Sequence, residues 1–105
     1  MGQIKTQIKR LLVASLALLA LAACAGPPVQ EMSDARQAIE AAEDAGALEH
    51  APMQLRFARD LVTSAETKLE KRAYNQARRD ARLAREKAVE ALNISLQEEG
   101  ARSRP

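Results

Sequence analysis

From Ala51 onward the chain sets an apolar side chain at every third or fourth position, and that rhythm admits one kind of secondary structure. Ala51, Leu55, Ala58, Val62, Ala65 and Leu69 follow steps of 4, 3, 4, 3 and 4; Tyr74, Ala77, Ala81, Ala84, Ala88 and Ala91 follow 3, 4, 3, 4 and 3. Alternating steps of three and four keep side chains on one face of an α-helix, so each stretch presents an unbroken apolar seam. Leu61 widens the first seam, and Val89, Leu92 and Leu96 flank the second. No segment alternates apolar and polar residues, and no β-branched run or hairpin turn occurs. The expectation is an all-α protein.

A third helix is expected ahead of these two, from about Gln30 to Ala45. Met32, Ala35, Ile39 and Ala42 share a face, Glu31 and Asp34 suit the positive end of the helix dipole, and Gly46 offers a left-handed stop. Pro52 is well placed for the first turn of the next helix. Two reversals, at residues 46–50 and near Arg72–Tyr74, would fold the helices into an antiparallel three-helix hairpin bundle with alanine-rich seams. Lys71-Arg72-Ala73-Tyr74 contains neither glycine nor proline, so one long helix from Pro52 to Glu98 is the competing arrangement. Gly100 is expected to stop the last helix, leaving 30–98 as the helical domain and 99–105 as a disordered tail. Alanine seams let helix axes approach closely but bury little area per residue. Phe57 and Tyr74, the only aromatic residues, are expected to fill gaps in the core.

The first residues carry a different kind of information. Lys5, Lys9 and Arg10 precede Leu11–Ala22, LLVASLALLALA, which holds no charge. A helix of that length, at about 1.5 Å per residue, falls short of a hydrocarbon layer roughly 30 Å thick. A basic start, a short apolar core and small residues after it describe a cleaved signal helix over 1–23. Leu21-Ala22-Ala23-Cys24 resembles the lipobox of bacterial lipoproteins, in which cleavage falls between Ala23 and Cys24. Cysteine is required because its thiolate is nucleophilic enough to take a diacylglyceryl group as a thioether. The resemblance implies a Cys24 carrying several acyl chains, palmitate among them, which anchor far more firmly than one. Ala25 is not the aspartate that holds such proteins at the inner membrane of enteric bacteria, so the expected location is the periplasmic face of the outer membrane. Residues 24–29 then serve as a lipidated cysteine and short tether, stiffened by Pro27 and Pro28.

Removal of residues 1–23 also changes the charge. The whole chain has 16 Lys and Arg against 14 Asp and Glu, but three of the basic residues lie in the signal segment. The apparent basicity disappears, and with it the case for nucleic acid. With one cysteine, no disulfide can form within a chain. What charge remains is divided: residues 31–50 are acidic apart from Arg36, and residues 51–105 are predominantly basic.

The sequence Ala38-Ile39-Glu40-Ala41-Ala42-Glu43-Asp44-Ala45-Gly46-Ala47, then Ala51-Pro52, Leu55, Ala58, Leu61, Ala65 and Leu69, then Tyr74 with alanines at 77, 81, 84, 88 and 91, resembles a bacterial envelope family. It looks like the Domain of Unknown Function 4398, small alanine-rich helical lipoproteins sometimes placed ahead of an OmpA-like peptidoglycan-binding domain. The likeness spans nearly all of residues 31–96. Where members usually have a Gly-Asp-like turn before the tyrosine, this chain has Arg72-Ala73. The family implies a location and a fold and brings no assigned activity.

Candidates for chemistry are few. His50, the only histidine, reads as a solvated turn residue, and Glu40, Glu43 and Asp44 read as a solvated acidic face. No phosphate loop, nucleophile–base set or metal-ligand spacing occurs, so neither a catalytic residue nor a metal or cofactor beyond the covalent lipid is expected. Arg78, Arg82 and Arg85, at steps of 4 and 3, form a basic strip that could meet an anionic partner. The sequence therefore describes a non-enzymatic lipoprotein, a helical scaffold or docking module for an envelope protein or peptidoglycan. One alternative grips peptidoglycan, anionic lipid or lipopolysaccharide through the arginine strip. Another is a homo-oligomer formed through the alanine seam.

Overall fold

The computed structural model describes residues 2–104, with the backbone alone for 19–25. Its helices are α1 (Gly2–Ala25), α2 (Val29–Asp44), α3 (Ala47–His50), α4 (Pro52–Glu70) and α5 (Tyr74–Arg102), and no strand occurs among the described residues. The fold is all-α. Leu11, Leu12, Val13 and Leu16 of α1 stand largely exposed. No helix of the described residues is long and apolar enough to cross a membrane.

Each reversal has a local cause. At the end of α2, Gly46 adopts φ +88°, a left-handed conformation costly for any residue with a Cβ. Its amide donates to the Glu43 carbonyl at 3.0 Å. Ala51 then leaves the helical region at φ −144°, ψ 54°, as the proline after it disfavours helical backbone there, and α4 begins with Pro52.

The second reversal decides between one long helix and two. The chain breaks at Lys71–Ala73: Arg72 takes φ +59°, its amide donates to the Leu69 carbonyl at 3.0 Å, and the Ala73 amide reaches the Lys68 carbonyl at 2.8 Å. This is the Schellman pattern of a helix end, with arginine where glycine is usual.

The ion pairs and core clusters fix the topology. Arg36 meets Glu66 at 3.0 Å and Arg59 meets Glu43 at 2.7 Å, so α2 and α4 are antiparallel. Glu31 meets Arg78 near the start of α5, and Ala42 shares a cluster with Ala91 further along, so α2 and α5 run parallel. Val62 and Ala65 pack with Ala77, Ala81 and Ala84, and Leu55 with Ala91, which sets α4 antiparallel to α5. Both α2 and α4 pack mainly on α5.

The seam of α5 is therefore the centre of the molecule, and Ala77, Ala81, Ala84, Ala88 and Ala91 are all 0% exposed. Among large side chains, Leu55 is fully buried. Ser95 continues the seam one step beyond Ala91, its hydroxyl donating to the Ala91 carbonyl at 2.8 Å.

Three expectations need correction. Phe57 does not fill the core: it is 46% exposed, with the Lys87 ammonium 5.8 Å from its ring centroid. The close approach permitted by alanine leaves no gap for a ring. Residues 99–102 are not disordered, because α5 runs through Gly100 to Arg102. Glycine costs a helix only about 1 kcal/mol and no proline follows until Pro105. The hydroxyl and amide of Ser103 both donate to the Glu99 carbonyl and close the last turn. Finally, His50 is no solvated turn residue. Its side chain is 6% exposed and lies against Gly46, where an added Cβ would come within 3.2 Å of the imidazole Cδ2.

Two substitutions test this account. Ala81→Leu should lower unfolding free energy by about 1–3 kcal/mol, since the extra methylenes have nowhere to go between closely approaching helices. Arg72→Gly should raise it by about 0.5–1 kcal/mol by relieving the left-handed strain. Urea denaturation followed by circular dichroism measures both, and a neutral Arg72→Gly would mean that the turn carries no strain.

Candidate functional site

The chain enters the bundle through Gly26-Pro27-Pro28. The two prolines have no amide hydrogens and restrict the backbone. Pro28 is fully buried, and the Met32 amide donates to its carbonyl at 3.0 Å as α2 begins. From the second turn of α5, Arg78 reaches across to this segment. Its guanidinium donates to the Gly26 carbonyl at 2.9 Å, to Glu31 Oε1 at 3.2 Å and to Asn75 Oδ1 at 3.3 Å. The Arg78 and Glu31 side chains are 15% and 25% exposed, so the pair is partly shielded from water. A planar guanidinium with five donors can serve three acceptors in fixed directions, which a lysine ammonium does less well.

This arrangement shortens the expected tether. Of residues 24–29, the stretch from Gly26 is docked on the bundle and Val29 already belongs to α2. Ala23 and Cys24, the expected cleavage and lipidation site, lie outside the residues whose side chains are described.

The basic strip divides when placed on the structure. Arg78 turns inward to Gly26 and Glu31. Arg82 lies 3.8 Å from Glu31 with its side chain 68% exposed, a contact too open to contribute much. Arg85 is exposed. Arg82 and Arg85 line a shallow groove of about 160 Å³ together with Gln30, Glu31 and Asp34. The groove therefore mixes acid and base. Spacing alone puts three arginines on one stripe and cannot show which of them meets an acceptor from α2.

The other candidates are occupied or dispersed. His50 Nε2 lies 3.3 Å from Glu99 Oε1, joining α3 to the far end of α5. Glu43 is engaged by Arg59, while Glu40 and Asp44 are exposed. Among the described residues no group of three His, Cys, Asp or Glu side chains is placed to hold a metal ion.

One cluster escaped the sequence reading. Asp80 on α5 accepts hydrogen bonds from Ser64, at 2.7 Å, and from Lys68, both on α4. Burial alone would raise its carboxyl above the usual value. The Lys68 and Ser64 hydrogen bonds, with the charges of Lys68 and Arg79, outweigh that and hold it below. The sequence signal was faint: Ser64 and Lys68 are one turn apart, but their register against Asp80 depends on the Arg72 turn.

A family model described as a domain of unknown function, DUF4398, matches residues 30–102. The chain belongs to the DUF4398 family. The match runs from the first turn of α2 to the last residue of α5, so the three-helix bundle is the family domain. No curated protein and no solved structure matches the chain.

Asp80 provides the testable consequence. A carboxyl lowered on folding stabilises the folded state above its unfolded value, about 3.9, and that contribution is lost as pH falls through the folded value. Asp80→Asn should cost about 1–3 kcal/mol at neutral pH. The gap from the unsubstituted protein should close in acid, as pH falls below the lowered value of the folded carboxyl. Urea unfolding across that range decides it; a gap independent of pH would show that the Asp80 carboxylate charge contributes nothing.

Proposed function

We propose that this DUF4398 protein is a non-enzymatic outer-membrane lipoprotein whose helical bundle serves as a scaffold or docking module on the periplasmic face. The observation that carries the reading is the position of the chain's single cysteine. Cys24 closes Leu21-Ala22-Ala23-Cys24 directly after a basic start and an uncharged apolar run too short for a permanent anchor. Ala25 after it favours the outer membrane. The side chains that could act in catalysis support a non-enzymatic role, since His50 is spent between Gly46 and Glu99, and Asp80 between Ser64 and Lys68.

The second reading, a grip on peptidoglycan or lipopolysaccharide phosphates, rests on Arg82 and Arg85 alone, since Arg78 is committed to Gly26 and Glu31. Self-association through the alanine seam would compete with the bundle itself, which already buries that seam. A docking face has to be sought on the outer surfaces, where Leu48 and Met53 stand 68% and 80% exposed.

The lipid anchor is the part to test first. In cells fed labelled palmitate, the unsubstituted chain should take up label and remain with membranes through a high-salt wash. Cys24→Ser should take up none. Label persisting in the Cys24→Ser protein would remove the basis of the proposal.

A further inference from the structure

Arg78 does more than close a tether: it fixes which end of the bundle lies near residue 24. Gly26 is two residues beyond Cys24, about 7 Å of chain at most. Its carbonyl is bound to Arg78, which stands four residues, about 6 Å along the axis, from the start of α5 at Tyr74. The turn between α4 and α5 therefore sits at the same end of the molecule as the anchor. Because α2 and α5 are parallel and both begin there, both run away from it.

The two ends carry opposite charge. At the anchor end, Lys71 and Arg72 project from the turn and Arg79 from the second turn of α5, all exposed and without an ion-pair partner among the described residues. Lys68 beside them is neutralised by Asp80, and Glu70 is the exposed acid of that turn. At the far end Asp44, Glu49, Glu98 and Glu99 are exposed, with Arg56, Arg102, Arg104 and the His50 ring to set against them, which leaves a small acidic excess.

We infer that, in the lipidated protein, the α4–α5 turn with Lys71, Arg72 and Arg79 rests on anionic phospholipid headgroups of the membrane that holds the anchor. The acidic end then points away from that surface. The inference rests on the lipid-anchor reading above. Three basic side chains within a Debye length of the surface, about 8 Å, keep most of their attraction to it. The acidic end, set off by a helix about 44 Å long, is beyond that range. A flexible leash would let the bundle tumble and average out the asymmetry, whereas the Arg78 clamp leaves little more than Ala25 to turn about.

The test uses the full chain, expressed in a Gram-negative host, purified from membranes in detergent and reconstituted into two vesicle types. One contains phosphatidylcholine alone and the other a third phosphatidylglycerol. Amine-reactive labelling of Lys71 and Lys87 is read by mass spectrometry on the same molecules. Lys71 should label about fivefold more slowly on the anionic vesicles, the equivalent of one basic residue held at an anionic surface. Lys87, three turns further along α5, should label alike on both, and high salt should abolish the Lys71 difference. Arg72→Asn combined with Arg79→Gln removes two charges, with asparagine tolerating the left-handed backbone at 72. It should bring Lys71 labelling on anionic vesicles to the neutral-vesicle rate. Equal Lys71 labelling on both vesicle types, or protection that survives in the double variant, would overturn the inference. Failure of the lipid-anchor reading has a separate signature: the protein would not float with phosphatidylcholine vesicles at high salt.

Discussion

The alanine face of α5 is the surface against which everything else is placed. Five alanines with no exposed area let α2 and α4 approach the same helix from two sides, and those helices contact each other far less than either contacts α5. Each alanine contributes little hydrophobic free energy, so the bundle depends on many close, modest contacts rather than a few large side chains. The same closeness expels Phe57, leaves room at the centre for few large apolar residues, Met32 and Leu55 among them, and suits a serine rather than a bulkier residue at position 95.

On that frame the polar contacts decide register more than strength. Arg36–Glu66 and Arg59–Glu43 are half exposed, and pairs of that kind contribute about 0–1 kcal/mol each. They are correctly spaced for an antiparallel α2–α4 pair and wrong for any slipped one. The shielded contacts are different. Asp80 with Ser64 and Lys68 joins α4 to α5, and Arg78 with Glu31 and Gly26 joins α5 to the beginning of α2. Both lie at the end where the chain enters, so that end is better tied than the far one, where Arg59–Glu43 and His50–Glu99 each involve an exposed carboxylate.

Much of this was legible in the residues. Seam spacing located α2, α4 and α5 to within a few positions, because a 3–4 rhythm of small residues has no other reading, and Gly46 and Pro52 marked the first reversal with the residues such a turn requires. The second reversal was ambiguous because its left-handed residue is Arg72, a side chain that gives no sign of the conformation it adopts. The basic strip was visible as a pattern on one helix, but the inward turn of Arg78 depends on a carbonyl 52 residues earlier and a glutamate on a neighbouring helix. Contacts between elements have no periodicity to read. His50 was misjudged for a related reason: its burial follows from the glycine four residues before it, which leaves room for an imidazole.

The order of the helices along the chain adds a kinetic consequence. A ribosome delivers α2 first, then α4, and only at the end α5, the helix on which both of the others pack. Until the last third of the chain is present there is no core to form, since α2 and α4 both pack mainly on α5 and helices in proteins owe most of their stability to such packing. The Gly26 clamp closes later still, since its arginine belongs to that final helix. The chain therefore stays unfolded and threadable for nearly the whole of its synthesis and gains its structure in one late, cooperative step. A truncation near its end would cost the fold far more than its length suggests.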